Sequence, residues 1–207
     1  MRIFTAVNIS KDFLQPIQNY LDNWEEKYKD FRWIHKKNMH ITLNFFGEME
    51  EDGLVILEKA IEKSVTNISK FIFSAGGFLY LPHGLHRIGS YTYQKTIKVF
   101  ALRIEKGKNE FEKIFNMVED NLIIFGKENN YSFRPKERRP YVPHITIARK
   151  GRFPMENYLS DIKDVQLNIE GIADNVTIFK SELFKGNPNR QQKEIPKYTP
   201  LKVFNLK

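Results

Sequence analysis

The chain has 207 residues, of which 41% are hydrophobic and 28% charged, a composition that indicates a folded globular protein and excludes a disordered one. It contains no cysteine, which excludes disulfides, thiolate metal sites and cysteine nucleophiles. The net charge of +8 favours a polyanionic partner such as RNA, although many basic proteins bind no nucleic acid.

The chain opens with a predicted strand at residues 2–8, where apolar and polar side chains alternate. This short apolar run lacks the architecture of a signal peptide. No stretch approaches the ~20 apolar residues of a membrane span, so we expect a cytoplasmic protein. After Ser10, a candidate N-cap, apolar residues recur every three or four positions and predict a helix, with Pro16 weakening its first turn. The apolar residues of this helix are Phe13, Ile17, Leu21, Trp24 and Tyr28.

The rest of the chain mixes strands and helices without strict alternation. Extended segments are predicted at residues 32–34, 39–46, 71–78, 96–104, 144–149, 167–172, 176–183 and 200–206. Helices are predicted at residues 54–65, 109–125 and 158–162. The connections are predicted at residues 81–94, at the charged and proline-rich residues 127–142, and in a polar arm at residues 185–197. This order favours an α+β fold with antiparallel sheets, and no linker divides it.

One short pattern occurs twice in predicted strands. Residues 39–43 read MHITL and residues 143–147 read PHITI, so each contains His-apolar-Thr-apolar. Because strand side chains alternate between faces, the histidine and threonine share one face and the two apolar residues share the other. A single such pair is common by chance, whereas two copies in similar strands indicate a shared site. The polar pairs are His40 with Thr42 and His144 with Thr146.

Two such strands facing each other across a groove would place two imidazoles and two hydroxyls around one small anion. Opening a cyclic phosphodiester needs such a set: one neutral histidine takes a proton from water and the other, protonated, gives one to the leaving oxygen. The threonine hydroxyls donate hydrogen bonds to the non-bridging oxygens. Histidine suits both roles because its ordinary pKa of ~6.5 leaves both forms accessible. Residue chemistry alone does not decide which histidine is the acid, and coupled histidines titrate as a pair.

The segments around both motifs carry a family resemblance. Residues 32–48 contain RWI followed by NMHITLNFFGE, and residues 141–149 read YVPHITIAR. With MRIFTAV at residues 1–7 and FKSEL at residues 179–183, they resemble the RNA 2′,3′-cyclic phosphodiesterases of bacteria and archaea. These form the LigT-like branch of the 2H phosphoesterase superfamily and were once called 2′-5′ RNA ligases. The resemblance spans nearly the whole chain.

The resemblance implies a bilobal α+β fold of two antiparallel sheets with flanking helices and both motifs in the central cleft. Residues 1–207 would form a single 2H phosphoesterase domain of two pseudo-symmetric lobes. His40 would donate a proton to the leaving oxygen and His144 would accept one from water, leaving a 2′-phosphate. Arg149 matches a basic residue of the family pattern and is interpreted as a phosphate clamp. The alternative for Arg149 is a solvated arginine on an edge strand.

The resemblance also implies the partners. We expect RNA with a 2′,3′-cyclic phosphate end as substrate, with tRNA fragments among the candidates, and no cofactor. A monomer that does not bind membranes is expected, because no exposed apolar seam is evident. Residues 81–94 and 185–197 depart from the short connections of the family and could change which RNA is bound.

Several other side chains have two interpretations. Phe45 and Phe46 are assigned to the core, although a bulge after Thr42 would let one of them stack on a base. The basic residues before the second motif could meet RNA phosphates or form a solvated loop. These are Arg134, Lys136, Arg138 and Arg139.

No metal site is predicted. His83 and His86 have the i,i+3 spacing of helical metal ligands, but Gly84 between them disfavours a helix and neither a carboxylate nor a cysteine lies near. His35 is interpreted as a surface residue.

The leading hypothesis is therefore an RNA cyclic phosphodiesterase, and three alternatives stay open. The enzyme could run in reverse as a 2′-5′ RNA ligase, or act on a small cyclic nucleotide. The chain could also be a catalytically silent RNA-binding protein, against which the two intact motifs count.

Overall fold

The computed structural model describes residues 1–10, 12–29, 31–81, 85–88, 91–94, 98–137, 139–149, 167–185 and 194–207. Within these ranges the strands are β1 (Arg2–Asn8), β2 (Arg32–Trp33), β3 (His40–Glu48), β4 (Phe71–Leu81), β5 (Leu85–Ile88), β6 (Tyr91–Gln94), β7 (Val99–Ile104), β8 (His144–Arg149), β9 (Ile169–Ala173), β10 (Asn175–Lys185) and β11 (Glu194–Asn205). The α-helices are α1 (Gln18–Lys27), α2 (Glu51–Val65) and α3 (Lys108–Glu128).

Nine of these strands form one antiparallel sheet in which the two motif strands are neighbours. Its order is β11-β10-β1-β3-β8-β7-β4-β9, with β2 pairing the outer part of β8. Ile41 opposite Ile145 is the residue pair that joins β3 to β8. The sheet therefore consists of two four-stranded halves connected at its centre, and the prediction of an α+β fold with antiparallel sheets is confirmed.

The helices cover the apolar face of this sheet. Amphipathic spacing buries Leu57 and Ile61 of α2, and Phe111, Ile114 and Val118 of α3. They join one large core cluster that also contains the apolar residues of both motifs. Burial of this face fixes the register of β3 and β8, because a one-residue slip would turn their polar side chains into the core.

The predicted first helix is divided in two. A 3-10 segment at Asp12–Ile17 precedes α1 and contains Pro16, whose ring cannot fit within a regular α-helix. The buried side chains continue from Phe13 and Leu14 through Leu21 and Trp24. The sequence pattern was therefore right about the buried stripe and wrong about a single regular helix.

Two predicted connections contain strands. Residues 81–94 include the antiparallel hairpin of β5 and β6. The polar arm is shorter than predicted, because β10 and β11 pair as far as Lys185 opposite Glu194. β11 tolerates Pro196 and Pro200 because it is the edge strand, where a missing N–H breaks few ladder bonds.

The predicted helix at residues 158–162 lies outside the described residues. Among the described helices, none is both long and apolar enough to cross a membrane.

Candidate active site

The four polar motif residues lie on one face of β3 and β8, which we call the motif face. Ile41 and Ile145 are fully buried on the opposite face, and their antiparallel pairing sets the register of the neighbours. By this register, the half-buried side chains on the motif face are His40 opposite Thr146 and Thr42 opposite His144.

Both histidines are held by the same backbone contact. The Nδ1 atom of His40 lies 2.7 Å from the carbonyl oxygen of Asn38, and Nδ1 of His144 lies 2.7 Å from the carbonyl oxygen of Val142. A carbonyl oxygen can only accept, so Nδ1 carries the proton and donates in both residues. In the neutral form this leaves the Nε2 lone pair as the free acceptor of each ring.

Each motif strand also contains a β-bulge just beyond its threonine. Thr42 and Phe45 pair with Ala6 and Phe4, so three steps on β3 match two on β1. An extra residue likewise lies on β8 between Thr146 and the next paired position. The bulge buries two successive residues, Leu43 with Asn44 and Ile147 with Ala148, and resets the alternation.

The bulges decide which later residues reach the motif face. Arg149 returns to this face with an exposed side chain, as the phosphate-clamp interpretation requires. Phe45 also returns to it and is 45% exposed, so its assignment to the core was wrong. Phe46 is buried, as expected. Strict alternation places Phe45 with Leu43, and no glycine lies between Thr42 and Phe45 to mark the bulge.

An aromatic cluster surrounds His40 and was not foreseen. Its ring lies 5.0 Å from Phe4, 6.3 Å from Phe179 and 5.3 Å from Tyr198, measured between ring centroids. Among the described residues no ring contact is found for His144. These rings come from β1, β10 and β11, which are remote from the motif in sequence.

This difference affects proton affinity. The pKa of His40 is lowered to about 4, mainly by burial; the hydrogen bond to Asn38 opposes this shift, and the charges of His144 and Arg149 add to it. Burial also lowers the pKa of His144, and Arg149 contributes again. The free protein thus favours two neutral imidazoles, and a bound anion would raise both pKa values.

Tyr141 connects the loop before β8 to the first motif. Its hydroxyl donates a 2.8 Å hydrogen bond to the carbonyl oxygen of Thr42, and its ring stacks on Phe115 at 4.7 Å. Burial raises the pKa of the Tyr141 hydroxyl, which keeps it protonated as a donor. The contact positions both motif strands against α3.

A buried polar network lies behind the first motif. Glu119 of α3 is only 3% exposed, and its Oε1 accepts hydrogen bonds from Asn44 Nδ2 at 2.7 Å and Arg134 Nη2 at 2.6 Å. Arg134 Nε also donates to the carbonyl oxygen of Phe45 at 2.6 Å. The available sequence signal was a carboxylate within the apolar stripe of the third predicted helix.

The basic cluster before β8 is paired with carboxylates. Arg134 binds Glu119. Lys136 lies 2.5 Å from Asp120, and Arg139 lies 2.7 Å from Glu137. Arg138 lies outside the described residues. The described members are thus held by the protein itself, which favours the solvated-loop interpretation for this segment.

No metal-binding group emerges from the described ranges, in which no three His, Cys, Asp or Glu side chains cluster suitably. His83 and the side chain of His86 lie outside the description. A cavity of about 600 Å³ between the end of α3 and the following loop is lined by residues such as Leu122, Tyr131 and Phe133. None of the four motif histidines and threonines lines it.

This fold is similar to that of LigT-like phosphoesterases. The family model described as LigT like Phosphoesterase matches residues 9–91. This match confirms the resemblance drawn from its motifs.

Relatives match over nearly the whole chain. RNA 2′,3′-cyclic phosphodiesterases from Thermotoga maritima and Methanocaldococcus jannaschii are 25% and 27% identical to it. Both alignments cover 91% of this chain. They cover 90% of the Thermotoga maritima protein and 95% of the Methanocaldococcus jannaschii protein. One from Methanothermobacter thermautotrophicus is 22% identical over 100% of this chain and 99% of its own.

Solved structures share the fold. TT0787 of Thermus thermophilus matches with a TM-score of 0.76 and 21% identity, covering 100% of this chain and 98% of its own. E. coli LigT complexed with 3′-AMP matches with a TM-score of 0.66 and 18% identity, covering 99% and 97%.

Proposed function

We propose that this protein hydrolyses the 2′,3′-cyclic phosphate at the end of an RNA to a 2′-phosphomonoester. The observation that carries the proposal is the pairing of two His-x-Thr strands with equivalently anchored imidazoles. The relatives' names, RNA 2′,3′-cyclic phosphodiesterase, supply the substrate class.

The reaction divides between the two histidines. His144 accepts a proton from water at Nε2 while the water oxygen forms a bond to phosphorus. The bond from phosphorus to the 3′-oxygen breaks, and His40 donates its Nε2 proton to that oxygen. His144 gains a proton and His40 loses one, so the two histidines exchange protonation states. Proton exchange with solvent then restores their starting states. The direction follows from the family resemblance.

The neighbouring polar groups stabilise the phosphate. Thr42 and Thr146 donate hydrogen bonds to its non-bridging oxygens, where charge accumulates in the transition state. Arg149 contributes a guanidinium from the end of β8. The negative charge of the bound phosphate also raises the pKa of His40, so substrate binding favours the protonated form that a general acid needs.

We further propose a metal-independent, cofactor-free enzyme formed by residues 1–207 as one domain of two pseudo-symmetric lobes. Its substrates are RNA ends, with tRNA fragments among them, and it acts as a cytoplasmic monomer. The net charge of +8 supports a polyanionic substrate.

The test is turnover of an oligoribonucleotide ending in a 2′,3′-cyclic phosphate, in excess EDTA, with ³¹P NMR of the product. We expect a 2′-phosphomonoester at an undiminished rate. Loss of activity that one divalent ion restores would overturn the two-histidine mechanism. Adding an RNA with a 5′-hydroxyl identifies ligase activity as a 2′,5′-linked product, and binding without any turnover would identify a silent RNA-binding protein.

A further inference from the structure

Two arginines face each other beside the motif face. β2 pairs antiparallel with the outer part of β8, with Arg32 directly opposite Arg149 and Trp33 opposite Ala148. Directly opposite residues point to the same side of a sheet, with Cβ atoms ~5 Å apart. Trp33 and Ala148 pack in the core, so both exposed guanidiniums lie on the motif face.

Such a like-charge pair is unfavourable unless an anion lies between its members. Three other described arginines pair with carboxylates: Arg103 with Glu105 at 2.7 Å, Arg134 with Glu119 at 2.6 Å and Arg139 with Glu137 at 2.7 Å. Arg2 instead lies over the ring of Phe45, 5.0 Å from its centroid. Within the described residues neither Arg32 nor Arg149 forms an ion pair. Among the residues that the structure describes, these two adjacent positive charges have no carboxylate partner.

The arginine pair lies beyond the motif residues, toward the end of β8. Arg149 is three residues beyond Thr146, but the bulge matches them to two steps of β7, so the two lie ~7 Å apart along the strand at the usual rise. Its charge lowers the pKa of both His40 and His144, so it acts on the reaction centre. Arg32 lies next to Arg149 on the neighbouring strand β2.

We propose that Arg32 and Arg149 form a second phosphate subsite, which binds the internucleotide phosphate on the 5′ side of the terminal cyclic phosphate. The inference rests on the proposed function and deepens it. The reactive phosphate already faces two histidines, two threonines and one side of Arg149. Arg32 is the added donor that recognises an RNA chain, and it makes the enzyme prefer RNA ends over cyclic mononucleotides.

The test compares two substrates that differ by one nucleotide with its internucleotide phosphate: a dinucleotide ending in a 2′,3′-cyclic phosphate and a 2′,3′-cyclic mononucleotide. Arg32→Gln should lower kcat/KM for the dinucleotide roughly tenfold or more, as expected for loss of a charged hydrogen bond. It should change the mononucleotide less than twofold. Arg32→Lys should recover only part of the loss, because lysine lacks the bidentate fork.

Lys63→Gln is the matched control, since it removes one exposed positive charge from α2. It should leave both substrates unchanged. Arg32→Gln should also be no less stable than the wild type in thermal unfolding, because the substitution removes a like-charge contact. Equal losses on both substrates, or no loss on either, would overturn the subsite.

Binding separates this inference from the proposed function. A dinucleotide with a 2′-phosphate end should bind Arg32→Gln more weakly than the wild type, with the salt slope reduced by about one. This result without wild-type turnover would support the subsite and overturn the phosphodiesterase. Wild-type turnover together with unchanged dinucleotide binding by Arg32→Gln would support the phosphodiesterase and overturn the subsite.

Discussion

His40 and His144 are anchored by the same type of carbonyl contact, but their surroundings differ. His40 lies among Phe4, Phe179 and Tyr198, whereas His144 lies beside strand β7 opposite Arg103. The motif spacing was sufficient to predict both residues and their shared face. The aromatic surroundings could not be predicted, because they come from strands whose pairing with β3 depends on the whole sheet.

Single substitutions at the motif should separate proton transfer from phosphate binding. His40→Ala and His144→Ala should each lower kcat/KM ~10²- to 10⁴-fold, and the double variant should be little worse than either, because the two act as one unit. Thr42→Ala and Thr146→Ala should cost less, since each removes one hydrogen-bond donor. Steady-state kinetics on the cyclic-ended oligonucleotide measures all five variants.

His35→Asn provides a matched control. It removes an imidazole that lies outside the motif face but keeps a side chain able to accept the hydrogen bond from the Lys37 N–H. It should retain wild-type activity. Near-normal turnover by a folded His40→Ala would contradict the paired-motif mechanism.

The lowered pKa of His40 should make stability depend on pH. Between pH 6.5 and about 4 the unfolded chain binds a proton that the folded His40 excludes. The free energy of unfolding should therefore be at its full value above pH 6.5 and fall as the pH decreases through that window. Urea unfolding at several pH values measures this, and His40→Gln should flatten the dependence.

Sulfate tests the electrostatic cause of this shift. It keeps its full negative charge across the window, so its binding should raise the pKa of His40 in an NMR titration. By linkage, sulfate should bind more tightly as the pH falls. A His40 pKa that is already near 6.5 without sulfate would contradict burial as the dominant cause.

At the scale of elements, the β-bulges are the feature that simple alternation misses. A strand of period two cannot place a histidine and the fifth residue after it on one face, yet both motif strands do so. The number and type of strands were therefore predictable, whereas the positions of Phe45 and Arg149 required the pairing with β1 and β7.

The network around Glu119 should stabilise the loop between α3 and β8. Glu119→Ala leaves the Arg134 guanidinium without its carboxylate in a largely buried position, so the free energy of unfolding should fall by about 3 kcal/mol. Asp120→Ala, the next residue, removes an exposed partner of Lys136 and should cost less than about 1 kcal/mol. Urea unfolding compares the two, and equal losses would contradict a specific role for the buried pair.

At the scale of the molecule, each half of the sheet places its motif strand at the centre. One half runs from β11 inward to β3 and the other from β9 inward to β8. The repeated motif predicted that two similar strands would share a site. It could not predict that Ile41 and Ile145 would join the halves into a continuous sheet, because that contact depends on how both halves pack against the helices.

The half of the sheet that contains the first motif is completed by strands from the other end of the chain. β1 pairs with β10, with Arg2 opposite Ser181. During synthesis, the edge of β1 that faces β10 therefore stays unpaired until β10 has been made. An unpaired edge of this kind readily recruits other strands, and such long-range pairing slows folding. The other half, β4 with β7, β8 and β9, is available earlier in synthesis. The His40 side of the sheet is therefore the last to be completed during synthesis, because it also needs β10 and β11, which end at Asn205.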